Sequence, residues 1–94
     1  MINVGKRIIL LIENYKKEKN YSFEKYGCVE RATLKKVAMI SLIPYSQVED
    51  LISLMKGFNI LSEFQTTQNW AGYIFNKENF EEFKKGFDNG KDRN

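Results

Sequence analysis

The 94-residue chain specifies an α+β fold that is mainly helical, on three observations. Residues 33 to 58 carry two consecutive helical patterns interrupted only at Pro44, and residues 60 to 75 hold two short β-type runs around a polar tip. Apolar residues make up 43% of the chain and aromatic residues 14%, enough for one modest core and therefore one domain, expected over residues 1–87.

The elements follow in order. A first helix spans 3–19, with Val4, Ile8, Leu11, Ile12 and Tyr15 on one face and Lys16, Lys17 and Lys19 complementing the negative C-terminal pole. Asn20 ends it, residues 20–26 read as a loop, and 27–29 as a short strand. Thr33 is a good N-cap for a helix over 33–41, whose apolar stripe is Leu34, Val37, Ala38 and Ile40. Pro44 disfavours helix at Ile43 but suits the first turn of the next helix, 44–58, where Val48, Ile52 and Met55 recur at i, i+4 and i+7. Asn59 stands where the chain needs a left-handed residue to leave that helix. A hairpin over 60–75 turns at 66–71, Asn76 caps a last helix over 77–87 bearing Phe80, Phe83 and Phe87, and 88–94 read as a frayed polar tail.

Several function classes lose their chemistry. With no histidine and one cysteine, the ordinary His- and Cys-based catalytic and zinc-binding arrangements are closed, so neither enzymatic activity nor a metal or other cofactor is expected. No run of about 18 apolar residues offers a membrane span, and Ile8 to Ile12 is halted by Glu13. There is no cleavable signal pattern, and the lone Cys28 cannot form an internal disulfide; both agree with a cytoplasmic location.

The segment from residue 30 to residue 87 resembles the winged helix-turn-helix family, in the form common among small archaeal and bacterial regulators and plasmid or viral DNA-binding proteins. Thr33-Leu34 with Val37-Ala38 looks like the first helix of the family's pair, and Ile43-Pro44-Tyr45-Ser46-Gln47-Val48 like the turn and the start of its recognition helix. Asn59-Ile60-Leu61 is similar to the usual Gly-Leu-Val exit, and Tyr73-Ile74-Phe75-Asn76 to the returning wing strand. The resemblance implies double-stranded DNA as partner, with the recognition helix in the major groove, and a role as transcriptional regulator or as adaptor at a centromere-like site.

Charge sets the candidate contacts. The net charge is +3, a mild tilt toward nucleic acid. Arg31, Lys35 and Lys36 cluster around the start of the first helix of the pair, where the resemblance puts phosphate contacts; Thr33 accompanies them and Lys56 lies at the far end of the recognition helix. Tyr45, Ser46 and Gln47 occupy that helix's N-terminal turn, and Asp50 and Ser53 follow along it. Gln pairs bidentately with adenine, Ser contacts phosphate or a base edge, and Tyr reaches phosphate or stacks; capping by Ser46 and packing by Tyr45 are the structural alternatives. Two features depart from the family pattern. Glu49 and Asp50 put carboxylates on the recognition helix, and no basic residue lies between Lys56 and Lys77, so the wing offers Gln68, Asn69 and Trp70 instead. Trp70 either faces a ligand or folds back over the core. Both departures leave a second reading open, a winged helix that docks a protein partner rather than DNA.

The terminal helices carry more apolar surface than one small domain requires. Ile9 and Leu10 lie off the main stripe of the first helix. With Val4, Phe83 and Phe87 they form the expected interface of a two-fold homodimer, which would set two wings on neighbouring half-sites and allow cooperative assembly on DNA. Leu51, Leu54 and Phe58 make a further apolar line on the recognition helix.

Overall fold

A computed structural model describes residues 3–64 and 71–92 of the chain. Helix α1 covers Val4–Lys17, shorter at both ends than the expected 3–19, because Asn3 is its cap: the Asn3 Oδ1 accepts the Lys6 N–H at 3.0 Å. Lys19, with φ of 52°, turns the chain out of the helix. The expected loop at 20–26 is instead a second helix, α2 (Tyr21–Tyr26). Asn20 opens it by accepting from Phe23 N–H, and Gly27, at φ of 70°, closes it. So short a helix has little intrinsic stability; Phe23 anchors it, with its ring 5.0 Å from that of Tyr15 and 5.3 Å from that of Phe75.

Strand β1 (Cys28–Glu30) lies one residue later than expected and runs directly into α3 (Arg31–Ile40). Thr33 is therefore not the N-cap but lies inside the helix, where its hydroxyl donates to the Glu30 carboxylate at 2.9 Å; Glu30 holds the cap position. Helix α4 (Tyr45–Gly57) begins just after Pro44, a residue inside the expected 44–58 at each end. Strands β2 (Leu61–Phe64) and β3 (Gly72–Phe75) form the hairpin, and α5 (Lys77–Asp92) starts where the Asn76 side chain accepts the Asn79 N–H at 2.8 Å. Residues 88 to 92 continue α5, so neither the expected stop at 87 nor a polar tail throughout 88–94 holds.

The helices α3 and α4 both end in the same hydrogen-bonded motif. Ile43 N–H donates to Ala38 C=O and Leu42 N–H to Met39 C=O; likewise Ile60 N–H donates to Met55 C=O and Asn59 N–H to Lys56 C=O. Each pattern needs a left-handed residue followed by an apolar one that packs back. Asn59 fills that place at φ of 59°, as the sequence suggests, whereas Leu42 fills it at φ of 61° despite its branched, bulky side chain.

The three strands form one antiparallel sheet in the order β1-β3-β2, with Val29 opposite Tyr73 on one side and Glu63 opposite Tyr73 on the other. The core lies where α1, α3 and α4 meet this sheet, and Phe80 of α5 closes it. Tyr15 is fully buried within it, and its hydroxyl accepts the Glu30 N–H at 3.2 Å. That bond ties α1 to the junction from which α3 departs. Among the described residues no helix is long and apolar enough to cross a membrane.

Candidate nucleic-acid interface

The burial of Val48, Leu51, Ile52 and Met55 fixes the rotation of α4 about its axis. Its outward face consequently carries Ser46, Glu49, Asp50 and Ser53, all exposed, with Tyr45 exposed at its start. These side chains are mostly short and polar, and the face they form is open to a large partner. Burial of Leu51 also answers whether the apolar line of Leu51, Leu54 and Phe58 is external: Leu51 belongs to the core, while Leu54 and Phe58 remain exposed.

Glu49 organises the charge on this face. Its carboxylate takes the Arg31 guanidinium at 2.5 Å and the Lys35 ammonium at 3.1 Å, bridging the first and second helices of the pair. The hydrogen bond from Arg31, followed by that from Lys35, holds the Glu49 carboxyl below the ordinary carboxylate range, and the same contact raises Arg31. Lys35 also stands over the Tyr45 ring, 5.6 Å from its centroid. Two of the three cations in the expected phosphate-binding cluster are therefore already engaged within the chain. Lys36 is exposed and makes no ion pair among the described residues. Lys56, at the far end of α4, pairs with Glu63 of β2 at 2.6 Å, a contact that raises the lysine and lowers the carboxyl.

Gln47 is not on the outward face. It sits on the flank toward α1, half-buried, and its Oε1 accepts from the guanidinium of Arg7. Arg7 is the residue that sequence reasoning missed. Its signal was a cation directly before the apolar run Ile8 to Ile12 of α1, but only the packing of α1 against α4 shows which residue it meets. No family model, curated protein or solved structure matches the chain. The arrangement must therefore be read on its own chemistry. Arg31, Lys35, Tyr45 and Ser46 come together around the start of α4, Lys36 stands exposed on α3, Asp50, Ser53 and Lys56 extend the surface along α4, and Thr33 is engaged with Glu30. Gln68, Asn69 and Trp70 lie outside the described residues.

The expected dimer face separates into parts. Ile9 faces water only in part: it is half-buried and packs on the core, so it offers less apolar surface than the sequence pattern suggests. Leu10 is 41% exposed and stays outside the core. Val4, Phe83 and Phe87 instead line a groove of about 820 Å³ together with Leu54 and Phe58, between the start of α1, the end of α4 and the middle of α5. A different apolar patch lies at the turn between α3 and α4, where Met39, Ile40 and Leu42 are exposed; Ile40, in the last turn of α3, thus leaves the buried stripe expected of it with Leu34, Val37 and Ala38.

Proposed function

We propose that the chain is a winged helix-turn-helix DNA-binding protein, non-enzymatic and cytoplasmic, which inserts the outward face of α4 into a major groove as a transcriptional regulator or as an adaptor at a centromere-like site. The observation that carries this reading is the path of the chain. Two helices, the second of only six residues, and a short strand lead into a helix pair, the pair leads into a hairpin, and the returning strand β3 pairs with β1. That path leaves the second helix of the pair with one apolar side inward and short polar side chains outward, as groove insertion requires. Arg31 and Lys35 flank its start and, with Lys36 exposed on α3, supply the phosphate contacts, Glu49 being an acceptor for cytosine N4 once the cations turn to the backbone.

Self-association belongs to the same reading. Leu10 on α1 offers exposed apolar surface for a second copy, and a homodimer would present two copies of α4 to neighbouring half-sites. Mobility shift of labelled random duplex DNA at two salt concentrations tests the proposal: a shift that weakens with salt is expected, and no shift at low salt would overturn it.

A second reading, docking of a protein partner, is favoured by one observation. Met39, Ile40 and Leu42 form an exposed apolar patch beside a face whose charges largely cancel. A chain that binds no duplex DNA even after Glu49→Gln, which releases Arg31 and Lys35, would support it.

A further inference from the structure

The groove between α1, α4 and α5 has the makings of a ligand site. Its volume of about 820 Å³ lies within the range of small-molecule pockets, and Val4, Ile8, Leu54 and Phe58 make one wall while Phe83 and Phe87 make the other. Phe58 and Phe83 lie 4.9 Å apart with their planes tilted by 55°, an aromatic pair that joins the two walls. Phe87 packs closely on Gly5, where a Cβ would stand 2.9 Å from its ring.

Among the described residues, the one ionisable side chain lining the groove is Glu82, which is exposed and makes no ion pair or hydrogen bond with the others. Nor, among the described residues, does any lysine or arginine stand over Phe58, Phe83 or Phe87, although cation–ring contacts occur elsewhere, as of Lys16 over Phe80 and Lys35 over Tyr45. An apolar hollow with aromatic walls and one uncompensated carboxylate complements a particular chemistry: a bulky apolar body that carries a positive charge it cannot lose. A neutral apolar ligand would gain nothing from the carboxylate, and an anion would be repelled by it.

We propose that the groove bounded by Phe58, Phe83, Phe87 and Glu82 binds a lipophilic organic cation. The rings take its hydrophobic body and Glu82 its charge. Because Leu54 and Phe58 belong to the end of α4 and its cap, an occupant also touches the helix assigned to DNA, but binding of the cation does not depend on that assignment.

Calorimetric titration of the full chain with tetraphenylphosphonium and with the isosteric anion tetraphenylborate tests this. The cation should bind saturably, one per chain, and at least about tenfold more tightly than the anion. Glu82→Gln, a change at an exposed position, should weaken the cation about fivefold and erase the preference over the anion. Gly86→Leu should remove binding of both while the circular dichroism spectrum is unchanged, since a side chain at residue 86 meets open space. Equal binding of the two probes, or an unchanged cation affinity in Glu82→Gln, would overturn the proposal. So would a groove closed by a second copy, seen as no binding by a sedimenting dimer that Phe58→Glu splits. DNA binding is read separately by mobility shift, so failure of either proposal is recognised without the other.

Discussion

Arg7 on α1 donates to Oε1 of Gln47 in the first turn of α4, and this bond holds the amide toward α1, away from the outward face on which a glutamine would pair with adenine. To read a base, Gln47 must first leave Arg7, and a hydrogen bond to a charged group is worth about 1.5–3 kcal/mol. Gln47→Ala should then cost less than about 1 kcal/mol on a preferred DNA site, instead of the roughly 1–3 kcal/mol of an unencumbered bidentate contact. In an Arg7→Ala background the full cost should return. A double-mutant cycle of binding measurements reads this coupling, and strict additivity would show that Arg7 does not compete for Gln47.

Glu49 draws two cations away from any phosphate. Glu49→Gln should tighten binding to random duplex and steepen the dependence of log K on log salt by up to about two units, each freed cation contributing roughly 0.9. Affinity measured at several salt concentrations checks it; a weaker affinity for random duplex would mean that the ion pairs hold α3 and α4 in the binding geometry. A loss confined to one preferred sequence would assign Glu49 to cytosine readout.

Lys36 is the cation of that cluster that no carboxylate engages among the described residues. Lys36→Ala should therefore flatten the salt slope by about 0.9, and Lys35→Ala should do less because Lys35 already answers Glu49. Equal effects of the two substitutions on DNA would contradict this ranking.

Much of the fold was legible because the signals were local. Asn59 announces a left-handed exit, Asn76 a cap, and the spacing of Val48, Ile52 and Met55 a buried helix face, and all three stand as read. Helix α2 was not legible. Its six residues lack an amphipathic repeat, and it depends on Phe23 meeting Tyr15 and Phe75, which are distant in sequence. The end of α5 was hidden by glycines and asparagines that favour fraying. At the candidate site the composition was readable but the pairing was not: Arg31, Lys35 and Glu49 are recognisable as charges, yet nothing in their spacing states that the carboxylate neutralises the cations.

Acid should loosen the joint between the terminal helices. Glu13 of α1 accepts from Lys84 of α5 at 2.9 Å, and that hydrogen bond holds its carboxyl below the ordinary value of 4.5, outweighing the desolvation that raises it. A carboxyl lowered in the folded state stabilises above its unfolded pKa and loses that contribution as pH falls through the folded value. Stability should thus be level near neutrality and decline as pH drops below 4.5, with Glu49 and Glu63 acting in the same sense. Thermal melts across this window check it: Glu13→Gln should lower the midpoint at pH 7 and shrink its decline on acidification.

Leu42 is held left-handed at φ of 61° while its side chain is 88% exposed, so its conformation is strained and its burial recovers nothing within the chain. A left-handed L-residue costs about 1–2 kcal/mol, part of which glycine returns through its greater freedom when unfolded, about 0.5–1 kcal/mol. Leu42→Gly should accordingly stabilise the domain by about 0.5–1 kcal/mol, raising the thermal midpoint by roughly 2–8 °C. A midpoint that stays level or falls in dilute solution would show that the motif closing α3 carries no strain. Strain kept at an exposed apolar residue points to a use for that residue beyond folding. If the patch of Met39, Ile40 and Leu42 is a contact surface, Leu42→Gly should weaken self-association or partner binding in the same preparation that melts higher. Sedimentation alongside the melt separates the two effects: a more stable chain whose association is unchanged would leave Leu42 strained without a docking role.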